Sequence, residues 1–381
     1  MTNSFKKIII VGITAPGSVI LLEGQLKYFA DHGYDTYLLA PANDKTQDYC
    51  AREGCKLLPI NIEREISLSN DFKSLFQIFR HFRRIKPDIV NLGTPKVSLL
   101  GMIAARLLGV KRRIYTCRGF RLEHEKGFKK KILIVMEKIT AFLAQDVICI
   151  SESVRTFGIE NKLFPSQKAV VINKGSSNGI PLARFNPDNV SLKDTTQLKE
   201  RLGLNGYFVF GYVGRLIDRK GINELYTSFD TLYNKNNYLR LLFVGSPEME
   251  QISDKTLVEK MKNHPGIVLA GSQKDVPLYI SIMDVFVLPA WWEGFGNVLV
   301  QAAAMGVPVI STTGTGTIDA VDQNVNGILV KPKSIEELKK AMLTLYEDKA
   351  MRLDYGKNGI KWARNFDSPI IWNGMQDLYS K

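Results

Sequence analysis

The chain alternates short apolar runs rich in Ile, Val and Leu with longer segments whose apolar residues recur every three or four positions. The short runs suit strands buried on both faces of a parallel sheet, and the longer ones suit amphipathic helices packed on it. The strand-like runs of the first half are KKIIIV (6–11), DTYLLAP (35–41), CKLLPI (55–60), PDIVNLG (87–93), RRIYTC (112–117) and DVICIS (146–151). Between them the spacing predicts helices over about Ile20–Asp31, ended by His32-Gly33, then Phe72–Arg84, Ser98–Leu108 and Lys130–Ala144. After the loop KGSSNGIPLARFNP and a polar stretch to Asn205, a second series follows: YFVFGYVGR, RLLFVGS, GIVLAGS, DVFVLP, VPVIST and GILVKP, with helices near Gly221–Tyr233 and Val276–Met283. Regular strand–helix alternation of this kind predicts doubly wound parallel sheets, hence two Rossmann-like halves of an α/β protein. We place the first domain at residues 1–175 and the second at 176–355. The helical tail from 356 to 381 is expected to cross back to the first.

With 381 residues, the chain is long for a single hydrophobic core, in keeping with two domains. A hydrophobic fraction of 45% and no low-complexity tract exclude a disordered protein. Cys50, Cys55, Cys117 and Cys149 show no C-x-x-C spacing, so reduced thiols in a cytosolic protein are expected and no metal site. The apolar stretch Ile8–Leu22 is broken by Pro16-Gly17 and reads as a strand and loop, not a signal peptide. No run of eighteen apolar residues predicts a membrane span. The net charge of +13 is lopsided: residues 1–180 hold 28 Lys and Arg against 16 Asp and Glu. A basic half serves either nucleic acid or an anionic membrane, and charge alone does not separate the two.

One stretch of the second half stands out, PAWWEGFGNVLVQAAAMGVPV (289–309). Glu293 sits in a loop with Gly294 and Gly296, and the Ala-rich segment from Asn297 to Met305 reads as a buried helix. The unpartnered N–H groups of a helix start, with the macrodipole, suit a phosphate. In GYVGRLIDRKG, Arg215 follows a strand end and Lys220 lies five residues on. Ligands of open α/β sheets bind at the carboxyl ends of strands, so two cations there suit a diphosphate, the alternative being an ordinary solvated Arg and Lys.

Taken in order, GRLIDRKG, LLFVGSPE, VLAGSQKDVPLYISIMDVFVLPA, EGFGNVLVQAAAMGVPVI and GTGTIDAVDQNVNGILV resemble the donor domain of glycosyltransferase family 4. The first half is similar to a subgroup of bacterial capsule and O-antigen transferases through APGSVILLEGQLKYFADHGYDTYLLAP, YTCRGFRLEHEKGFKKKILIVMEKI, DVICISESVR and KGSSNGI. The resemblance implies a GT-B fold, two facing Rossmann-like domains with the active site in the cleft between them. It implies retaining transfer of a sugar from a UDP-sugar, an N-acetylated hexosamine or its 6-deoxy form, to an undecaprenyl diphosphate-linked saccharide at the inner face of the cell membrane. By the same pattern Arg215 and Lys220 hold the diphosphate and Glu293 contacts the sugar hydroxyls. Gly214, Gly245, Gly271, Val276, Phe295, Gly296, Asn297 and Val298 line the donor. Gly17 and Ser18 face the same phosphates or the acceptor. The family's usual description has the leaving phosphate helping to deprotonate the acceptor. No D-x-D triplet occurs, so the two cations are expected to do a metal's work and no cofactor is expected.

Two departures matter. The family's second glutamate, eight residues after the first, is Gln301 here, and an amide loses a charge-assisted bond to the ribose diol. Where the family commonly has a histidine near the sugar's C6, this chain offers Arg118, which suits either a donor altered at C6 or a phosphate or acceptor contact. Arg121, Glu123 and His124 share that loop and are expected to touch the acceptor. His32, His81 and His264 read as turn or surface residues. The segments FKSLFQIFRHFRRIK and KGFKKKILIVMEK either lay the first domain on an anionic bilayer or simply turn apolar stripes to the core under a basic rim, the reading favoured here. An NAD-dependent oxidoreductase is disfavoured because GITAPGS lacks G-x-G-x-x-G. A UDP-sugar 2-epimerase has no need of the basic half. A degenerate, non-catalytic transferase-like partner stays open because of Gln301, and nucleic acid is not an expected ligand.

Overall fold

The computed structural model describes residues 6–63 and 67–381. Strands and helices alternate in the first part as β1 (Lys7–Gly12), α1 (Gln25–Asp31), β2 (Tyr34–Ala40), α2 (Asp44–Glu53), β3 (Lys56–Pro59), α3 (Leu68–Ile85), β4 (Ile89–Leu92), α4 (Pro95–Leu107), β5 (Arg112–Cys117), α5 (Gly127–Leu143), β6 (Asp146–Cys149), α6 (Glu152–Glu160) and β7 (Ala169–Val170). The second part runs α7 (Leu192–Arg201), β8 (Phe208–Val213), α8 (Ile222–Tyr233), β9 (Leu239–Val244), α9 (Leu257–Asn263), β10 (Ile267–Leu269), α10 (Val276–Ser281), β11 (Val285–Val287), α11 (Asn297–Ala304), β12 (Val309–Thr312), α12 (Thr317–Ala320) and β13 (Gly327–Val330). Three helices follow, α13 (Ile335–Glu347), α14 (Lys349–Ala363) and α15 (Ser368–Ser380).

Among the described residues the strands form two sheets, ordered β3-β2-β1-β4-β5-β6-β7 and β10-β9-β8-β11-β12-β13, and every pairing is parallel. Successive residues of a strand point to opposite faces, so each sheet must be covered twice. In β1, Ile10 joins a core with Ile78 and Phe82 of α3 and Met102 of α4, whereas Ile9 and Val11 join one with Leu26 and Phe29 of α1. That second core is completed by Ile371, Met375, Leu378 and Tyr379 of α15, spaced four, three and one apart.

The chain divides into two compact units, Met1–Asn178 with Ile371–Lys381, and Gly179–Ile370. In the second, the small-residue face of α11 meets α14: a Cβ on Gly359 would fall 3.0 Å from the Ala303 carbonyl, and one on Gly356 would fall 2.3 Å from the Gly306 carbonyl. No helix among the described residues is long and apolar enough to cross a membrane.

Helices α3 and α5 differ from the favoured expectation of core stripes alone. Each buries one apolar face and exposes another: Phe72 (77% exposed) and Phe76 flank the inward stripe of α3, while Phe128, Val135, Ile139 and Phe142 (80%) face outward on α5. There are simply more large apolar residues than one face of a helix can turn inward. His264 also departs from a surface position. It caps α9, its side chain is 8% exposed, and its ring packs edge-on to Tyr233 with Asp230 3.3 Å away.

Candidate active site

Each sheet reverses its strand order once, between β1 and β4 in the first and between β8 and β11 in the second. The loops leaving the two central strands then diverge to opposite faces, and the crevice beyond their carboxyl ends is where open α/β sheets bind ligands. In the second unit those loops carry Arg215, Lys220 and Glu293.

The loop after β8 begins with a backbone contact that only glycine permits. Gly214 (φ 152°) and Gly245 (φ 144°) lie so close that a Cβ on Gly245 would fall 1.8 Å from the Gly214 carbonyl oxygen. The Gly245 N–H donates to the Gly271 carbonyl at 2.8 Å, so the three predicted glycines line up across the ends of β8, β9 and β10. Tyr212 Oη donates to the Arg215 carbonyl at 2.7 Å and fixes the next residue. The Arg215 guanidinium is half exposed and holds Glu248 at 2.9 Å.

Lys220 ends a short turn and precedes Gly221, which starts α8 in the left-handed region at φ 72°. Its ammonium is paired with Oε1 of Glu293, and the two side chains are only 13% and 14% exposed. Arg219 is a second cation at the same carboxylate, 3.6 Å away, with Nη1 donating to the Trp292 carbonyl at 3.4 Å. Burial acts to raise the Glu293 pKa, but Lys220, then Arg219 and Arg215, more than offset it and hold the carboxyl below its ordinary range. The Glu293 loop is pinned from behind: its N–H donates to the Thr315 carbonyl at 2.8 Å, and a Cβ on Gly316 would fall 2.3 Å from its own carbonyl. Trp291 Nε1 donates to Glu224 of α8 at 2.8 Å.

Gly296, at φ 85°, begins α11 with no side-chain cap. Phe295 turns its ring into the core against Phe366, leaving backbone rather than side chain at the helix start. Asn297 and Val298 occupy the first turn; Gln301 is one turn further on the same face as Asn297. Val276 opens α10 beyond Gly271, behind the cap Asp275.

The remaining expected residues belong to the first unit. Gly17 and Ser18 lie in a 3-10 turn after β1, and Ser18 lines a cavity there. Arg118 follows β5 and lies against Gly93, with Nε and Nη1 buried and without a hydrogen-bond partner among the described residues. Burial pulls its pKa down to about 10. Arg121 is half exposed and 3.5 Å from Glu125, and Glu123 is half buried in the same short turn. The side chain of His124 lies outside the described residues.

Three groups at these edges were not singled out from the sequence. Arg219 carries a signal in hindsight, since it neighbours Lys220 past a strand end. Glu248 carries none, because its meeting with Arg215 depends on how two loops run side by side. Glu137 of α5 is buried against Tyr115 Oη, which donates to it at 2.7 Å, and burial, opposed by that bond, pushes its pKa up to about 7.

Residues 11–151 match the family described as Glycosyl transferase 4-like, and residues 194–362 match Glycosyl transferases group 1. The capsular polysaccharide biosynthesis glycosyltransferase CapM of Staphylococcus aureus is 38% identical over 369 residues, covering 97% of this chain and 95% of CapM. The UDP-Gal:alpha-D-GlcNAc-diphosphoundecaprenol alpha-1,3-galactosyltransferase of Escherichia coli is 29% identical, over 91% and 89% of the two chains. Anabaena Alr3699/HepE, solved in complex with UDP, superposes with a TM-score of 0.81 over 98% of this chain and 99% of its own, at 20% identity, a likeness of fold. The chain therefore belongs to the family 4 glycosyltransferases and has their GT-B fold.

Proposed function

We propose that the protein moves a sugar from a UDP-sugar to a polyprenyl diphosphate-linked saccharide in bacterial surface polysaccharide synthesis, with retention of configuration and without a metal. The buried pairing of Glu293 with Lys220 at the switch point of the second sheet carries this reading. Breaking the bond between the sugar's C1 and the diphosphate oxygen puts negative charge on the leaving group. Fixed cations and N–H dipoles stabilise such developing charge without reorganising. Arg215, Arg219 and Lys220 supply the cations, and the uncapped start of α11 supplies N–H groups over Gly296 to Val298. Glu293, ionised because of its cations, accepts hydrogen bonds from sugar hydroxyls. The acceptor oxygen bonds to C1, and its proton passes to the leaving phosphate. The sugar is read as an N-acetylated hexosamine or 6-deoxy hexosamine, with Arg118 its neighbour at C6. The E. coli relative's name, with its UDP donor and diphosphoundecaprenol acceptor, supports the same choice of substrates.

Thermal unfolding in the presence of UDP-, GDP- and dTDP-sugars tests the donor assignment, because a ligand of the native state raises its stability. A UDP-sugar is expected to stabilise the protein more than UDP does, and Glu293→Ala to remove that difference. Stabilisation by GDP-sugars alone would refute the donor. Binding of UDP-sugars with no transfer to any lipid-linked acceptor would favour the non-catalytic partner, the reading that Gln301 keeps open.

Peripheral contact with an anionic membrane is part of the proposal, supported by the outward aromatic residues of α3 and α5 beside Lys73, Arg80, Lys131 and Lys138. Replacing Phe72, Phe76 and Phe142 together by serine should weaken binding to phosphatidylglycerol vesicles by about tenfold or more, given the apolar area removed. Co-sedimentation measures this, and equal binding by the triple variant would discard these faces as the contact.

A further inference from the structure

Of the three cations proposed to meet the diphosphate, Arg215 is the most exposed, at 48% against 27% for Arg219 and 13% for Lys220. A long guanidinium side chain in water has many rotamers to choose from, and a ligand that fixes one of them bears the entropy of that choice. Here a carboxylate has fixed it already. Arg215 Nη1 donates to both oxygens of Glu248, at 2.9 Å to Oε2 and 3.2 Å to Oε1, whereas Nε and Nη2 make no hydrogen bond among the described residues. One nitrogen is held, and the Nε–Nη2 edge, whose two parallel N–H groups match a pair of phosphate oxygens, is left over.

Glu248 is itself braced from several sides. Beyond the sheet the loops after β8 and β9 continue side by side: the Leu216 N–H donates to the Ser246 carbonyl at 3.0 Å, and the Glu248 N–H to the Leu216 carbonyl at 3.1 Å. The short turn Met249–Gln251 follows, in which the Gln251 N–H donates to the Glu248 carbonyl at 2.8 Å and Gln251 Nε2 donates to Oε2 of the Glu248 carboxylate. Ser253 then ties the loop to the turn that bears Lys220, its N–H donating to Asp218 Oδ2 at 2.8 Å. An ion pair as exposed as this one adds little to stability, so stability does not account for the bracing. Donors fixed in advance of a charge they must meet do account for it, because they need no reorganisation when it arrives. We infer that Glu248, oriented by Gln251, is a positioning residue that holds Arg215 with its Nε–Nη2 edge free for the donor's diphosphate. The inference rests on the proposed role of Arg215 at that diphosphate.

A carboxylate near a diphosphate repels it, so charge alone makes Glu248→Ala a tighter binder, whereas lost positioning makes it a weaker one. Calorimetry of the full chain with UDP, and initial rates with the UDP-sugar that stabilises it, separate the two. For Glu248→Ala the UDP Kd and the donor KM should rise about fivefold, the scale of ordering one long side chain, and kcat should fall, while the acceptor KM and the unfolding midpoint stay at wild-type values. Glu248→Gln keeps an oxygen for Nη1 and should bind UDP within about twofold of wild type. In an Arg215→Ala background, Glu248→Ala should weaken UDP binding no further. Tighter binding by Glu248→Ala overturns the inference, since the carboxylate would then compete with the diphosphate. An undiminished loss in the Arg215→Ala background overturns it as well, because the effect would bypass Arg215. Wild-type UDP affinity in both single variants overturns it and leaves the donor reading standing, whereas a wild-type protein that binds no UDP removes that reading and this assignment with it.

Discussion

Lys220→Ala should reduce transfer by about a hundredfold or more and lower stability by about 3 kcal/mol, near the low end of the cost of a broken buried pair because Arg219 stays 3.6 Å from the Glu293 carboxylate. Glu293 stays buried in this variant, and burial is the largest influence on its carboxyl, so removing Lys220 shifts its pKa upward. In the wild type the folded pKa lies below the unfolded one, so the pairing stabilises at neutral pH and is lost as the pH falls through the folded value. In the variant Arg219 and Arg215 still act on the carboxyl but the share of Lys220 is gone, so less stability is gained as the pH rises through the ordinary carboxylate range of about 4–5. The stability gap between the two proteins should therefore narrow on acidification, as urea unfolding from pH 7 down to pH 4 would read. A second variant separates packing from chemistry. Lys220→Met with Glu293→Leu removes both charges and should recover most of the stability but none of the transfer. A gap that does not change with pH, or transfer by the double variant, would remove the pair from the centre of the mechanism.

Gly245→Ala should be the other severe substitution, although it adds one methyl group. At φ 144° the residue lies where L side chains are strained, and its Cβ would be placed 1.8 Å from the carbonyl oxygen of Gly214. Neither backbone can yield without moving the loop that starts at Gly214 and carries Arg215. A loss of about 2–4 kcal/mol is expected from strain and displacement together, with a fall in UDP-sugar affinity of about tenfold or more. Gly271→Ala is the control. Its φ is also positive, at 68°, but open space surrounds its Cβ position, so about 1 kcal/mol covers the backbone penalty. Unfolding midpoints that rank the two variants equally would show that the close approach does not hold the loop.

The two sheets were legible because a parallel strand buried on both faces is an unbroken apolar run, hard to mistake for anything else. Helices that bury little were not. Both α2 and α7 are mostly polar, with Tyr49, Cys50 and Leu198 among their few inward residues, so no apolar periodicity marks them as helices. The break before α1 was also hidden: the expected continuous helix from Ile20 is a 3-10 turn, Pro16–Leu22, then α1 from Gln25. Gly24, left-handed between them, makes room for Trp372, a residue 348 positions away. At the site, Arg215, Lys220 and Glu293 stood out because each follows a strand end. Their partners did not: no spacing rule shows that Glu248 meets Arg215, or that Glu137, a glutamate between lysines on a helix, points inward.

The place of α15 has a consequence for the order in which the protein is made. Ile371, Met375, Leu378 and Tyr379 complete one of the two cores of the first unit, and Asn91 Nδ2 donates to Tyr379 Oη at 2.6 Å. These residues are translated only after the whole of 179–370, so the unit begun first at the ribosome is the one finished last. At about 5–20 residues per second it waits for about 10–40 s with one sheet face short of its cover, while the second unit has its full sequence earlier. During synthesis that uncovered face, not the second unit, is the surface a chaperone has reason to shield.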